Sequence, residues 1–185
     1  MDVWGVDMSE HSITKKALGS AMKDLMSAQS FADITVGDIC QKCGLNRKSL
    51  YYHFEDKYDL VNWVFYSELI EPLEKKGIGD FWVLLEEITR YLYQNRMFYY
   101  HAFQVRGANR FWEYFSKSLQ PYLFKAVHNQ LAGGEIFTKT EKENAYAEFL
   151  ADAFVYSIEK WIIQRPQLTP ERYVDLFKIN FPKTE

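Results

Sequence analysis

Arg47, Lys48 and Ser49 stand together at the start of a short helical pattern and offer a guanidinium, an ammonium and a hydroxyl within one turn. Donors grouped in the first turn of a helix can meet base edges in the major groove of DNA. Tyr51, His53 and Lys57 follow at spacings that would bring their polar tips to phosphates on either side of the groove, with Tyr52 between groove and core. Leu50 and Phe54, four residues apart, supply the inward face of the same helix.

These side chains need a preceding helix to hold them, and Thr35 to Gly44 provides its pattern. Thr35 can cap that helix through its hydroxyl, and Asp38, three residues later, can complete a capping box in place of Glu or Gln. Val36, Ile39, Cys40 and Cys43 recur at helical spacing and form one apolar face. Gly44 ends the run, because glycine accepts the left-handed backbone of a sharp turn. Leu45 plugs the corner, and Asn46 caps the next helix. The unit is a helix, a tight turn and a second helix with an aromatic and basic surface.

On these residues the chain resembles the TetR/AcrR family of bacterial one-component regulators, over a span from Thr14 to Leu69. Phe31, Ile34, Thr35, Val36, Ile39, Cys43, Gly44, Leu45, Leu50, Tyr51, Tyr52, His53, Phe54, Lys57 and Leu60 fall where that family's pattern expects them. The resemblance implies an all-α protein: a three-helix DNA-binding half, a long fourth connecting helix, and a helical second half that binds effectors and dimerises. It places Thr35, Tyr51, His53 and Lys57 at phosphates, and Arg47 and Lys48 at base edges. The chain departs from the family at Lys48, where a small residue is common, and at Asn46, where Ser is frequent. Asp2, Asp7 and Glu10 precede Lys15 and Lys16, so no basic minor-groove arm is expected.

Composition sets the bounds. A chain of 185 residues holds one or two domains, and we divide it at 1–57 (helix-turn-helix core 12–57) and 58–185. A formal net charge of −3 leaves little general attraction to nucleic acid, so positive surface must be local. Lys42, Arg47, Lys48 and Lys57 supply it, against Glu55 and Asp56. No apolar run approaches the roughly 20 residues that span a bilayer, and no leader pattern opens the chain, so a cytoplasmic location is expected.

The two cysteines form Cys40-x-x-Cys43, a spacing shared with redox pairs and half zinc sites. No second pair completes four ligands, and both fall where small core residues belong, so they are read as packing. His101 and His128 lie in no metal-binding spacing. No cofactor and no metal are expected. No phosphate-cradling loop, nucleophile elbow or metal-spaced histidine pair is present, which argues against an enzyme.

The rest is helical in pattern. Ile13, Ala17, Leu18, Ala21, Leu25 and Met26 form the stripe of a first helix starting at His11 or Ser12. Asp56 caps a fourth helix that runs toward Leu73, and Lys75 to Gly79 is a linker. Further helices are expected at 81–95, 97–105, 108–130, 140–164 and 170–180, with Pro121 kinking the third of these or marking its boundary and a loop at 131–134. More distantly, Tyr91 through Tyr122 resembles the second domain of the branch containing activators of dihydroxyacetone-kinase operons.

Aromatic density in this half suggests a ring-lined effector cavity from Tyr91, Phe98, His101, Phe103, Phe111, Trp112 and Phe115, with Gln104, Arg106 or Asn109 as polar partners. An ordinary aromatic core is the competing reading. Phe149, Ala153, Tyr156 and Trp161 on one late helix, with Tyr173, Phe177 and Phe181 on the next, form apolar faces, and Ala147 and Ala151 would allow close approach. The resemblance makes these faces a two-fold dimer interface that would present paired reading helices to a palindromic double-stranded operator. An adaptor that works through protein contacts without specific DNA binding is the alternative, and the intact Arg47 to Lys57 pattern argues against it.

Overall fold

The computed structural model describes the backbone at residues 4–77, 80–105, 111–131, 141–164 and 167–178, and side chains at 11–77, 80–105, 111–129, 145–164 and 167–178. Gly79, Arg106, Asn109, Phe181 and most of the loop expected at 131–134 lie outside the described residues. Among the described residues the chain is all-helical, as α1 (Trp4–Ala28), α2 (Val36–Cys43), α3 (Arg47–His53), α4 (Lys57–Phe65), α5 (Glu71–Lys76), α6 (Phe81–Gln94), α7 (Arg96–Phe103), α8 (Phe111–Leu131), α9 (Glu141–Gln164) and α10 (Pro170–Lys178). A 3-10 turn at Phe31–Asp33 precedes α2, and a π-helical turn at Tyr66–Ile70 joins α4 to α5 in one connecting helix.

Local chemistry accounts for the reading unit. Thr35 Oγ1 accepts from the Asp38 amide at 3.2 Å while Asp38 Oδ2 accepts from the Thr35 amide at 2.8 Å, so the capping box forms. Gly44 ends α2 at φ 69°, in the left-handed region where its lack of a Cβ matters. Asn46 then accepts from the Ser49 amide at 2.9 Å, and Asp56 accepts from the Tyr58 and Asp59 amides, each at 2.8 Å.

Leu18, Met22 and Met26 of α1 are buried with Ile34, Ile39, Cys40, Leu50, Phe54, Leu60 and Val64. Met22, outside the apolar stripe read from the sequence, is fully buried, whereas Ile13 within that stripe is 65% exposed. A Cβ on Gly19 would come within 3.1 Å of both Trp63 and Val64, so that glycine sets how closely α1 approaches α4. The helix α1 also packs on α7 and is thereby shared between the two halves.

In the second half α8 and α9 lie against each other, with α6, α7 and α10 around them. The helix α8 runs through Pro121 without a boundary. The connecting helix is tied to α8 at Glu74, which accepts from Tyr66 at 2.8 Å and from Tyr122 of α8 at 2.9 Å. Burial and the Glu74 carboxylate push the Tyr122 hydroxyl up to about 12, so it remains a donor at neutral pH.

Candidate nucleic-acid interface

The residues expected to touch DNA divide into two groups. Arg47 and Lys48 are exposed, Ser49 is half-buried, and Tyr51 and Tyr52 are 58% and 71% exposed although apolar in most of their surface. Rings left so open on a helix capped by Asn46 are available to a partner. The Ser49 hydroxyl donates to Asn46 Oδ1 at 3.3 Å, which turns it toward the cap.

The Arg47 side chain folds back across α2. A Cβ on Gly37 would lie 2.8 Å from an Arg47 terminal nitrogen, and Thr35 Oγ1 borders the same point at 3.3 Å. The Asp38 carboxyl is held below its ordinary range, chiefly by its hydrogen bonds with Thr35 and to a lesser degree by Arg47. Glycine inside a helix carries an entropic cost, and here it leaves the space the guanidinium occupies. Sequence reasoning missed Gly37; a glycine in the first turn of a helix, with no reversal to make, was the available signal.

Two expected phosphate contacts are engaged inside the protein. The Thr35 hydroxyl accepts from the Asp38 amide and donates to Asp38 Oδ2 at 2.7 Å, which uses its single proton. Lys57 Nζ donates to the carbonyls of Ile34 at 2.7 Å and Phe31 at 2.8 Å, and lies 4.3 Å from the centre of the Phe31 ring. Burial pushes the Lys57 ammonium below its ordinary range, with Asp33 opposing. Thr35 thereby holds the start of α2, and Lys57 ties α4 to the 3-10 turn, where the Phe31 carbonyl also accepts from the Ile34 amide at 3.3 Å.

His53 is half-buried in a ring cluster, 5.3 Å from His11, 4.9 Å from Tyr52 and 6.3 Å from Phe54. His11 also stacks on Tyr52 at 5.4 Å. Burial first, then His11 and Lys15, push the His53 imidazole down. His11 lies inside α1, which begins at Trp4, before the start read from the sequence.

The cysteines behave as packing. Cys40 is 3% exposed with its thiol pushed up by burial, and Cys43 Sγ donates to the Ile39 carbonyl at 3.2 Å. Both are free, and no cluster that could hold a metal occurs among the described residues.

The aromatic residues expected to line a cavity pack against one another. Phe98, Phe111 and Phe115 are 3%, 3% and 0% exposed, and Phe103 is 9% exposed. Phe65 of α4 meets Phe111 at 5.5 Å, Phe115 at 5.3 Å and Tyr99 at 6.1 Å, and Phe103 meets Phe111 at 5.2 Å. These rings pack directly on one another across α4, α7 and α8. Trp112 is half-buried and bonds to Glu159, Tyr91 belongs to a hydrogen-bond chain, and His101 lies against the Tyr100 ring at 5.3 Å. A groove of about 1020 Å³ borders the connecting helix on its α1 side, lined by Lys15, Trp63 and Tyr66 among others.

The expected interface residues also separate. Phe149 and Tyr156 are 66% and 54% exposed, Tyr146 is 46% exposed, and Ala153 is open between them, a stripe at helical spacing on the outer face of α9. Trp161 and Tyr173, each 2% exposed, instead stack at 4.8 Å, with Trp161 Nε1 donating to the Leu168 carbonyl and Tyr173 donating to Ser157, each at 2.9 Å. Phe177 packs on Phe154 at 5.1 Å. These three clamp α10 onto the protein's own core, and Ala147 and Ala151 are buried on the inner face of α9.

A capped two-helix reader, an α4 link and a helical second domain define a helix-turn-helix transcription regulator. Residues 20–64 match the family described as bacterial regulatory proteins, tetR family, and residues 83–182 match a transcriptional regulator C-terminal region. The chain belongs to the TetR family of transcriptional regulators. A relative from Lactococcus lactis subsp. lactis (strain IL1403), the HTH-type dhaKLM operon transcriptional activator DhaS, is 29% identical over 108 residues, which span 57% of each chain. The structure of a dihydroxyacetone kinase operon activator DhaS superposes with a TM-score of 0.70 at 24% identity, covering 90% of this chain and 95% of that one. NalD, the secondary repressor of the MexAB-OprM multidrug efflux pump in Pseudomonas aeruginosa, has the same fold, with a TM-score of 0.63, 13% identity, and 90% and 93% coverage. Among the described residues no helix is long and apolar enough to cross a membrane.

Proposed function

We propose that this regulator binds a two-fold symmetric operator as a homodimer and that a small molecule acting on its second domain changes that binding. The observation that carries the DNA reading is the exposed surface of α3, where Lys48, Tyr51 and Tyr52 project from a helix capped at its start by Asn46 and closed at its end by the Phe54 amide on Leu50. Arg47 and Ser49 border the same surface, and His53 supports it from the side. The open stripe Tyr146, Phe149, Ala153 and Tyr156 supports a second copy as the partner, since an apolar face of this kind is stable in water only when covered.

Effector response is supported by the position of Phe65. It belongs to the connecting helix, yet its ring is packed among Tyr99, Phe111 and Phe115 of the second domain. A ligand that repacks those rings must move Phe65, and a ligand with different affinities for the two packings shifts their populations. Similarity to a named operon activator supports control of an operon as the biological output.

The test begins by selecting duplexes from a random pool with the purified protein, followed by mobility-shift titration at one fixed salt concentration. The expected result is an enriched palindrome bound at least about a thousandfold more tightly than random DNA. Equal affinity for both would overturn the specific-regulator reading.

A further inference from the structure

We propose that Glu68, in the π-helical turn of the connecting helix, is a positioning residue that joins Tyr99 in the core of the second domain to Lys23 on α1 of the reading unit. This rests on the regulator reading above and names the route by which the second domain would reach the reading helices. Tyr99 donates to the Tyr91 hydroxyl at 2.9 Å, Tyr91 donates to Glu68 Oε2 at 2.9 Å, and Lys23 Nζ donates to the same oxygen at 2.6 Å. The chain therefore passes from α7 through α6 and the connecting helix to α1.

Its direction is fixed by proton count. Each tyrosine has one proton, Tyr99 spends its own on Tyr91, and Tyr91 spends its own on the carboxylate. Burial holds both phenols well above their ordinary range, so neither loses its proton under working conditions. Tyr99 is fully buried, with Phe98 at 5.0 Å and Phe111 at 5.8 Å around its ring. Its hydroxyl has this partner in apolar surroundings, and an unpartnered buried hydroxyl is costly. A repacking that turns Tyr99 must therefore break the link or carry Tyr91 with it, which alters what Glu68 offers to Lys23. π-helical turns interrupt the regular winding and recur at functional positions.

The hydrogen bonds from Tyr99 reach Lys23 through Tyr91 and Glu68, so a double-mutant cycle between Tyr99 and Lys23 reads the connection, and a Glu68 variant separates it from the direct packing of α1 on α7. Tyr99→Phe removes one oxygen and Lys23→Met one charge, and affinity for the selected duplex and melting temperature are measured for each variant and for both together. Non-additivity of about two- to fivefold in duplex affinity is expected, and it should vanish when the cycle is repeated in a Glu68→Ala background. Losses that multiply in the original background would overturn the link. Coupling that survives Glu68→Ala would overturn the role of Glu68, and coupling seen in melting but absent from DNA affinity would reduce the chain to a stabilising contact. A wild-type protein that enriches no duplex sinks the regulator reading and the use of the chain together, whereas the melting cycle still decides whether the chain exists.

Discussion

The Arg47 guanidinium lies against Gly37, in space where a single added methyl would sit 2.8 Å from its terminal nitrogen. The first residue of the reading helix is thus placed by a residue of the helix before it. Gly37→Ala should raise or preserve the melting temperature, because alanine is the better helix former by about 1 kcal/mol. It should nevertheless change which base pairs a selected duplex prefers, because the guanidinium is displaced. Selection and mobility-shift measurements on Gly37→Ala, Arg47→Ala and the double variant check this. A Gly37→Ala effect that persists without Arg47 would refute the placement.

Lys57 is expected to act on stability before DNA affinity. Its ammonium serves the Phe31 and Ile34 carbonyls, and hydrogen bonds to charged groups are worth about 1.5–3 kcal/mol. Lys57→Met should lower unfolding free energy by about that amount in denaturant titrations. The salt dependence of duplex binding should remain that of the parent, whereas losing a phosphate contact would reduce its slope by about one.

Phe149→Glu or Tyr156→Glu should yield a folded monomer. The two side chains are 66% and 54% exposed in the isolated chain, so each carboxylate meets water until a partner covers it. Sedimentation should register the change of mass with helical content retained, and duplex affinity should fall. Tyr173→Phe removes the bond to Ser157 and should lower melting while leaving the mass unchanged; a dimer that tolerates Glu at both 149 and 156 would place the interface elsewhere.

His53 should give the fold a pH dependence on the acid side. Its folded value lies below the ordinary 6.5, chiefly through burial. The unfolded chain therefore binds the proton more readily, and stability falls as pH drops from about 6.5 through the folded value. Above that window the contribution is fully present. His53→Asn should flatten this step in melting curves taken across pH 7 to pH 5, and a parent curve without the step would contradict the burial of the ring.

Much of the reading unit was legible because its rules are local. Thr35, Asp38, Gly44, Asn46 and Asp56 carry cap chemistry in their own side chains or backbone, and each acts within a few residues of itself. The roles of Lys57 and Arg47 were not legible for the opposite reason. Lys57 meets carbonyls 23 and 26 residues earlier, and Arg47 meets a glycine on the preceding helix, so an exposed-looking cation in the pattern became an internal donor or a docked one.

The second half repeats that lesson on helix faces. Periodicity identified α9 and α10 but could not say which stripe turns inward, so Trp161 and Tyr173 were grouped with Phe149 and Tyr156. Trp161 needed an acceptor for its indole and found the Leu168 carbonyl within its own chain. Likewise, Phe98, Phe103, Phe111 and Phe115 resemble a ring-lined cavity and an aromatic core equally in sequence, because their mutual packing depends on how α7 and α8 meet.

The π-helical turn at Tyr66–Ile70 also fixes an angle. Each residue of a regular helix advances the winding by about 100°, and a single wide turn absorbs one extra residue so that the helix on both sides keeps its facing. Glu74 beyond the turn accepts from Tyr122 of α8, and Phe65 before it packs on Phe111 and Phe115 of α8, so both flanks of the turn face the same helix. A one-residue deletion inside 66–70 would remove the wide turn that carries Glu68 while Phe65 and Glu74 keep their partners on either side, making chain length at this point a control on the contacts of Glu68 rather than on the domain core.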